Sequence, residues 1–382
     1  MKFGKKNKVS LNILDYNICL LGQAKVGKTT LIKEVCEKVA GEDGYLFLEI
    51  GQERGADAIE NINYVNCPLW DMEYDDYSNS AGYIDVVDDI VENRMTTYSE
   101  LKTVVLDTYD QLITLSEQEA IALWNRECIK NGKPTIETIN EAWGGYGRGE
   151  KKAIELMLDS FARLKQVGVS TIVIGHVKNK DVTDVMTGET YQVLTSDQQS
   201  NYFNALKKNL HFLGLAYIDR EIIKEKTGKK IPGTKKDEYI GKVSGESRKI
   251  KFRDDNYAVD SGCRFANIAP EIPLDADSFI KALTDAIKSE SLKGNKSIDE
   301  VQKEQKAAEE ERMKQIAAAE EENRKKKELA DINKQIQTFC VANKSDPAKL
   351  KPIIEATKKF GLKNPFSAEN IETAKAILEL AA

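Results

Sequence analysis

The chain has 382 residues, 41% hydrophobic and 31% charged. This suits a globular protein with one unusually charged region, built as one large domain with an appendage or as two or three smaller domains. A net charge of −6 leaves no global basic excess, so any contact with nucleic acid has to be a local patch. The six cysteines (Cys19, Cys36, Cys67, Cys128, Cys263 and Cys340) are scattered without a Cys-x-x-Cys pair. They suggest neither a zinc site nor a disulfide framework, and predict reduced thiols.

In chain order, the start "MKFGKKNKVSLNIL" is basic and lacks an apolar signal-peptide core, and no run of about 18 apolar residues follows anywhere. A cytoplasmic protein with no membrane partner is expected. Short runs rich in β-branched or aromatic residues predict strands at Tyr16–Gly22, Tyr45–Ile50, Thr103–Asp107 and Thr171–His176. Amphipathic patterns predict helices between them at Thr29–Val39, Tyr83–Arg94, Gln111–Ile129 and Lys151–Val167. Strands alternating with helices, with little polar interruption inside the strands, indicate an α/β fold with a mostly parallel sheet between helices.

Beyond His176 the pattern changes to strands at Thr190–Ser196, Phe212–Asp219, Glu238–Ser244 and Arg248–Arg253. A hairpin is expected around Ser244–Ser247, with these strands extending the sheet in antiparallel fashion at its edge. Ser278–Ile287 reads as the closing helix of a core spanning residues 1–290.

Residues 291–335 read as a charged helical linker, because Lys296–Gln335 is mostly Glu, Lys, Ala, Gln and Arg. A solvated single helix there would span about 60 Å; coiled-coil association is the alternative. Residues 336–382 regain a core pattern. The tail reads as three helices, with Ser367 as an N-cap and Gly361 as a stop after Phe360. This small C-terminal helical module suggests docking, with a structural cap or an oligomerisation unit as alternatives.

The chemistry is concentrated at Gly22-x-x-x-x-Gly27-Lys28-Thr29, between a strand and an amphipathic helix. Glycines let the backbone approach phosphates, and successive N–H groups at a helix N-terminus favour an anion. The loop Gly22, Gln23, Ala24, Lys25, Val26, Gly27, Lys28, Thr29 and Thr30 is therefore the expected triphosphate cradle. Lys28 is expected on the β- and γ-phosphates and the Thr29 hydroxyl on Mg²⁺. The second metal carboxylate of such a site belongs at a strand end, where "KTVVLD" supplies Asp107. Asp110 is the fallback, with helix capping as its other reading.

With these pieces in place, the chain resembles the phage-encoded RecA-like P-loop ATPases associated with single-strand annealing recombination. The resemblance covers roughly residues 10–290. It rests on the phosphate loop, "VVLDTYD", "WGGYGRGE", "TIVIGHVKNK", "RKIKFRDDNY" and "CRFANIAPEIPL", in that order.

It implies ATP and Mg²⁺ as cofactors and a ring or filament of identical subunits. Its partners would be single-stranded DNA and an annealing or replication protein. It also implies a glutamate past the second strand as general base: Glu53 in "FLEIGQERGAD", with Glu49 as the alternative. His176 would sense the γ-phosphate. One of Arg248, Lys251, Arg253 or Arg264 would reach a neighbour's nucleotide in trans; a charged, exposed edge strand explains the first three equally well.

DNA contacts would come from Arg148 in Trp143–Lys152, from Lys178 and Lys180 in His176–Gln192, or from the lysine-rich stretch Lys224–Lys236. A small-molecule kinase is disfavoured, since no arginine-rich lid is evident and the gap from Lys28 to Asp107 is long. A nucleotide-gated adaptor recruiting a partner through its C-terminal module is the remaining alternative.

Overall fold

The computed structural model describes residues 9–183, 188–230, 237–253, 261–291, 298–344 and 346–380. The chain runs β1 (Ile18–Gly22), α1 (Lys28–Ala40), β2 (Tyr45–Ile50), β3 (Tyr64–Cys67), α2 (Tyr83–Glu92), β4 (Thr103–Asp107), α3 (Tyr109–Lys130) and α4 (Arg148–Gln166). It continues through β5 (Ser170–Thr183), β6 (Thr190–Ser196), α5 (Ser200–Lys207), β7 (Phe212–Lys230), β8 (Asp237–Lys251), β9 (Gly262–Cys263), β10 (Glu271–Pro273) and α6 (Ala276–Ser291). The last helices are α7 (Ile298–Ala342), α8 (Pro347–Lys359) and α9 (Ile371–Leu378).

The main sheet is ordered β10-β8-β7-β1-β5-β4-β2-β3. From β7 to β3 every neighbouring pair is parallel, and β8 and β10 add on antiparallel. Strand alternation builds two cores from this one sheet. Ile18, Leu20, Phe47, Val105, Ile172 and Ile174 point to the side covered by α1 and α6. Cys19, Leu21, Leu48, Val104, Leu106 and Val173 point to the side covered by α2, α3, α4 and α5. Burial on both faces explains why these strands read as continuous apolar runs.

Several elements differ from the sequence expectation, each for a local reason. β5 does not end at His176: it runs on to Thr183 and pairs antiparallel with β6, from Val177↔Ser196 to Thr183↔Thr190. Past His176 its burial falls away, so the extension lacks the apolar run that marks the first half. Ser244–Ser247 is not a hairpin turn but lies within β8. Glu221 pairs with Gly245 and Ile222 with Val243, so Ser244 is the extra residue of a bulge. Its Oγ donates to Glu221 O at 3.2 Å, which satisfies the carbonyl beside the irregularity. β3 was not anticipated, being only four residues long with a polar Asn66 inside it.

Residue contacts separate two units, Met1–Ala307 and Ala308–Ala382. The boundary expected at 335/336 falls inside α7, where no glycine or proline interrupts helical sequence. In the C-terminal unit Ile332, Ile336, Ile353, Ala356, Ala368, Ala374 and Ile377 form a separate small core. Asp346 caps α8, accepting from Ala348 N and Lys349 N, and Gly361 follows it at φ 67°. The cap of α9 is Asn370 rather than Ser367, whose hydroxyl bonds back to Asn364 O at 2.9 Å. Among the described residues, no helix is long and apolar enough to cross a membrane.

Candidate active site

The site forms where parallel strands end. Gly22, the last residue of β1, lies in register between His176 of β5 and Ala216 of β7. A Cβ at Gly22 would sit 2.7 Å from Ala216 O, so only glycine fits the strand there. The chain then turns through Lys25 at φ 61° into Gly27 at φ 103°, a left-handed conformation that favours glycine. Gly27 N-caps α1 without a side-chain hydrogen bond, and amides at a helix N-terminus favour an anion.

Lys28 is buried, and its Nζ donates to Gly22 O and Gln23 O, each at 3.0 Å. Burial holds its pKa below the usual lysine value, while the charges of Asp107, Asp110 and Glu53 push it back up. Thr29 Oγ1 donates to Asp107 Oδ2 at 2.7 Å. Burial raises the Asp107 carboxyl above its ordinary range, opposed by the Thr29 hydrogen bond and the Lys28 charge.

Glu49 is the register partner of Asp107 across β2 and β4 and is 2% exposed. Its Oε1 accepts from Ala56 N at 2.6 Å, and its buried Oε2 has no hydrogen-bond partner. Burial raises this carboxyl as well. Gly55 closes the pocket: a Cβ there would lie 3.6 Å from Thr29 Oγ1, 3.8 Å from Glu49 Oε1 and 3.9 Å from Asp107 Oδ2. The donors are hard oxygens, with one buried carboxylate atom unsatisfied. This set fits Mg²⁺, which needs only one or two protein oxygens beside phosphate and water.

Glu53 is half-buried in the loop after β2. Its charge is felt at Lys28, Asp107 and His176. His176 N donates to Asp110 Oδ2 at 2.9 Å, and its Nδ1 lies 2.8 Å from the same oxygen. That hydrogen bond raises the imidazole pKa. Asp110, held in reserve as a metal ligand, instead sits in the first turn of α3 and binds His176 and Gln198, whose Nε2 donates to Oδ1 at 3.1 Å.

The four candidate finger residues part company. Arg248 Nη1 donates to Val26 O at 3.2 Å, making it a cis contact of this chain's own phosphate loop. Lys251 Nζ lies 5.7 Å from the Tyr217 ring centroid. Arg253 Nη2 donates to Phe265 O at 3.1 Å. Arg264 binds the Leu210 carbonyl at 2.8 Å and also that of Lys208, pinning the turn before β7.

The candidate DNA residues lie on the surface at three places. Arg148 is exposed at the start of α4. Trp143 is committed inward: its Nε1 donates to Ala120 O at 3.0 Å and its ring lies 5.4 Å from that of Trp124. Tyr146 is the open aromatic of that segment, at 99% exposure. Lys178 and Lys180 are exposed on β5, Lys178 beside Asp197 at 3.6 Å. The side chains of Lys224–Lys236 lie outside the described residues.

In the sheet order, β5 stands between the strand of the phosphate loop and the strand of Asp107. With Lys28, Thr29 and Asp107 converging at the strand ends, the fold and site define a P-loop nucleoside triphosphatase of RecA-like architecture. A family model described as AAA domain (AAA_24) matches residues 14–244, and the chain belongs to that family. Arg248 lies just beyond the matched span. The KaiC-like protein PH0186 from the hyperthermophilic archaeon Pyrococcus horikoshii OT3 is a similar solved structure. It shares 13% identity over 68% of this chain and 84% of that one, with a TM-score of 0.31. No curated protein matches the chain.

Proposed function

We propose that the chain is an Mg²⁺-dependent ATPase that acts on single-stranded DNA in phage recombination or replication, aiding an annealing protein. The observation that carries this reading is the path of β5. The strand passes the phosphate loop at His176 and continues as an exposed hairpin bearing Lys178 and Lys180. A strand-paired extension with two exposed lysines, alongside the acidic Asp181 and Glu189, thus starts at the residue beside the nucleotide site.

In this reading Lys28 neutralises phosphate oxygens, and the amides of the loop and first turn of α1 orient them. Thr29 and Asp107 hold Mg²⁺, which when bound neutralises charge developing on the transferred phosphoryl group. Glu53 positions and deprotonates water from a loop open to solvent, while Glu49 has one oxygen engaged by Ala56 N. His176 touches the phosphate end and carries its state into β5. The chain works as a ring or filament, in which Lys251 and other cations of the β8 region face a neighbour.

A second reading, a nucleotide-gated adaptor, is favoured by the separate Ala308–Ala382 unit with its own core. Steady-state hydrolysis with and without single-stranded DNA distinguishes the two, with Lys28→Ala as the control. Stimulation by DNA that weakens with rising salt and vanishes in Lys28→Ala is the expected outcome. Turnover unmoved by DNA at low salt would leave the adaptor as the better account.

A further inference from the structure

We infer that Asp110 is a positioning residue that ties both roots of the β5–β6 hairpin to the phosphate end of the site. The inference rests on the reading of Gly22–Thr29 as a nucleotide site and adds how that site is linked to the hairpin. Each oxygen of this one carboxylate serves a different arm. Oδ2 takes the backbone N–H of His176 at 2.9 Å and faces its Nδ1 at 2.8 Å, on the outgoing strand. Oδ1 takes Gln198 Nε2 at 3.1 Å, two residues past the end of the returning strand. The neck is closed a second time where Asp197 N donates to His176 O at 3.1 Å.

A carboxylate only accepts, so the Nδ1 of His176 carries the proton in this contact and Nε2 is the ring atom left for another partner. The ring stands near enough to Lys28 and Glu53 to feel both charges, and His176 is in register with Gly22. A shift of the ring toward or away from a terminal phosphate therefore pulls on Asp110. Through Gln198 it also pulls on the returning strand. Linkage makes the effect reciprocal: whatever the hairpin binds changes nucleotide affinity by the same factor.

The test uses the full chain with Mg²⁺ and ATPγS as the probe. It compares wild type, Asp110→Asn, Gln198→Ala and Lys28→Ala by nucleotide affinity, by kcat and KM for ATP, and by amide hydrogen exchange over residues 177–183 and 190–198. In wild type, bound analogue raises protection of the hairpin amides. Asp110→Asn loses that gain, because an amide nitrogen replaces one acceptor. Its kcat falls roughly tenfold or more while KM and analogue affinity stay within about threefold, as for other residues that orient a catalytic side chain. Gln198→Ala, which cuts only the returning arm, loses the gain in residues 190–198 with a smaller fall in kcat.

The link is overturned if wild type binds the analogue and its hairpin exchange does not change. It is equally overturned if Asp110→Asn keeps both the protection gain and wild-type kcat, or if Asp110→Asn unfolds while Gln198→Ala behaves as wild type. A wild type that binds no more analogue than Lys28→Ala overturns the nucleotide reading itself and the link with it.

Discussion

His176 and His211 are the chain's two histidines, and their surroundings push them in opposite directions. The hydrogen bond to Asp110 raises His176 from 6.5, so its contribution to stability is full below pH 6.5 and is lost as pH rises through its folded pKa. Burial, with Arg264 and Lys165 nearby, lowers His211 from 6.5, and its Nδ1 accepts from Asn17 N at 3.1 Å. Its contribution is present above pH 6.5 and is lost as pH falls through its folded pKa. The melting midpoint should reveal this as two opposite differences. Wild type minus His211→Gln shrinks below pH 6.5, and wild type minus His176→Asn shrinks above it. Thermal melts of the nucleotide-free protein check this; parallel curves for wild type and variants would contradict the assignment.

Among elements, the segment after α2 and the end of α4 are joined through Arg94, which is 1% exposed just past the Asn93 cap of α2. Its Nε donates to Val167 O at 3.0 Å, and its Nη1 to the carbonyls of Tyr98 and Ser99. The sequence marks Arg94 only as the end of a helical pattern, since its acceptors lie in two different loops. Arg94→Met leaves three carbonyls without this donor and should cost about 3 kcal/mol. Urea unfolding measures the loss, and a cost under about 1 kcal/mol would mean the carbonyls find other donors. The β7–β8 bulge teaches a related lesson. Gly245 and its serine neighbours look like a turn, but the turn chemistry is absorbed by one extra residue inside a long strand.

At the scale of the whole molecule, the core cluster of the Ala308–Ala382 unit has, among the described residues, seven buried side chains, four of them isoleucines. A core of that size supports at most about 3–5 kcal/mol. Ile336 is fully buried, and Ile336→Ala removes about 2–5 kcal/mol, enough to unfold the unit near 37 °C. ATP turnover should stay at the wild-type level, because the site is assembled entirely within Met1–Ala307. Limited proteolysis together with a turnover assay checks both halves of the expectation. Turnover falling in step with C-terminal cleavage would tie the two units energetically.

The sequence by itself determined the parts that are local in the chain. The strand–glycine loop–helix unit, the strand ending at Asp107 and the two-faced burial of the central strands each follow from contiguous spacing and period. Only the tertiary structure decided what lies around them. Asp110 meets His176 and Gln198 across 66 and 88 residues, Arg248 reaches Val26 across 222, and Glu49 stands beside Asp107 through strand pairing. Such contacts depend on strand order and on which carbonyl or amide a folded neighbour leaves open. A one-dimensional pattern of apolar and polar residues carries no record of either.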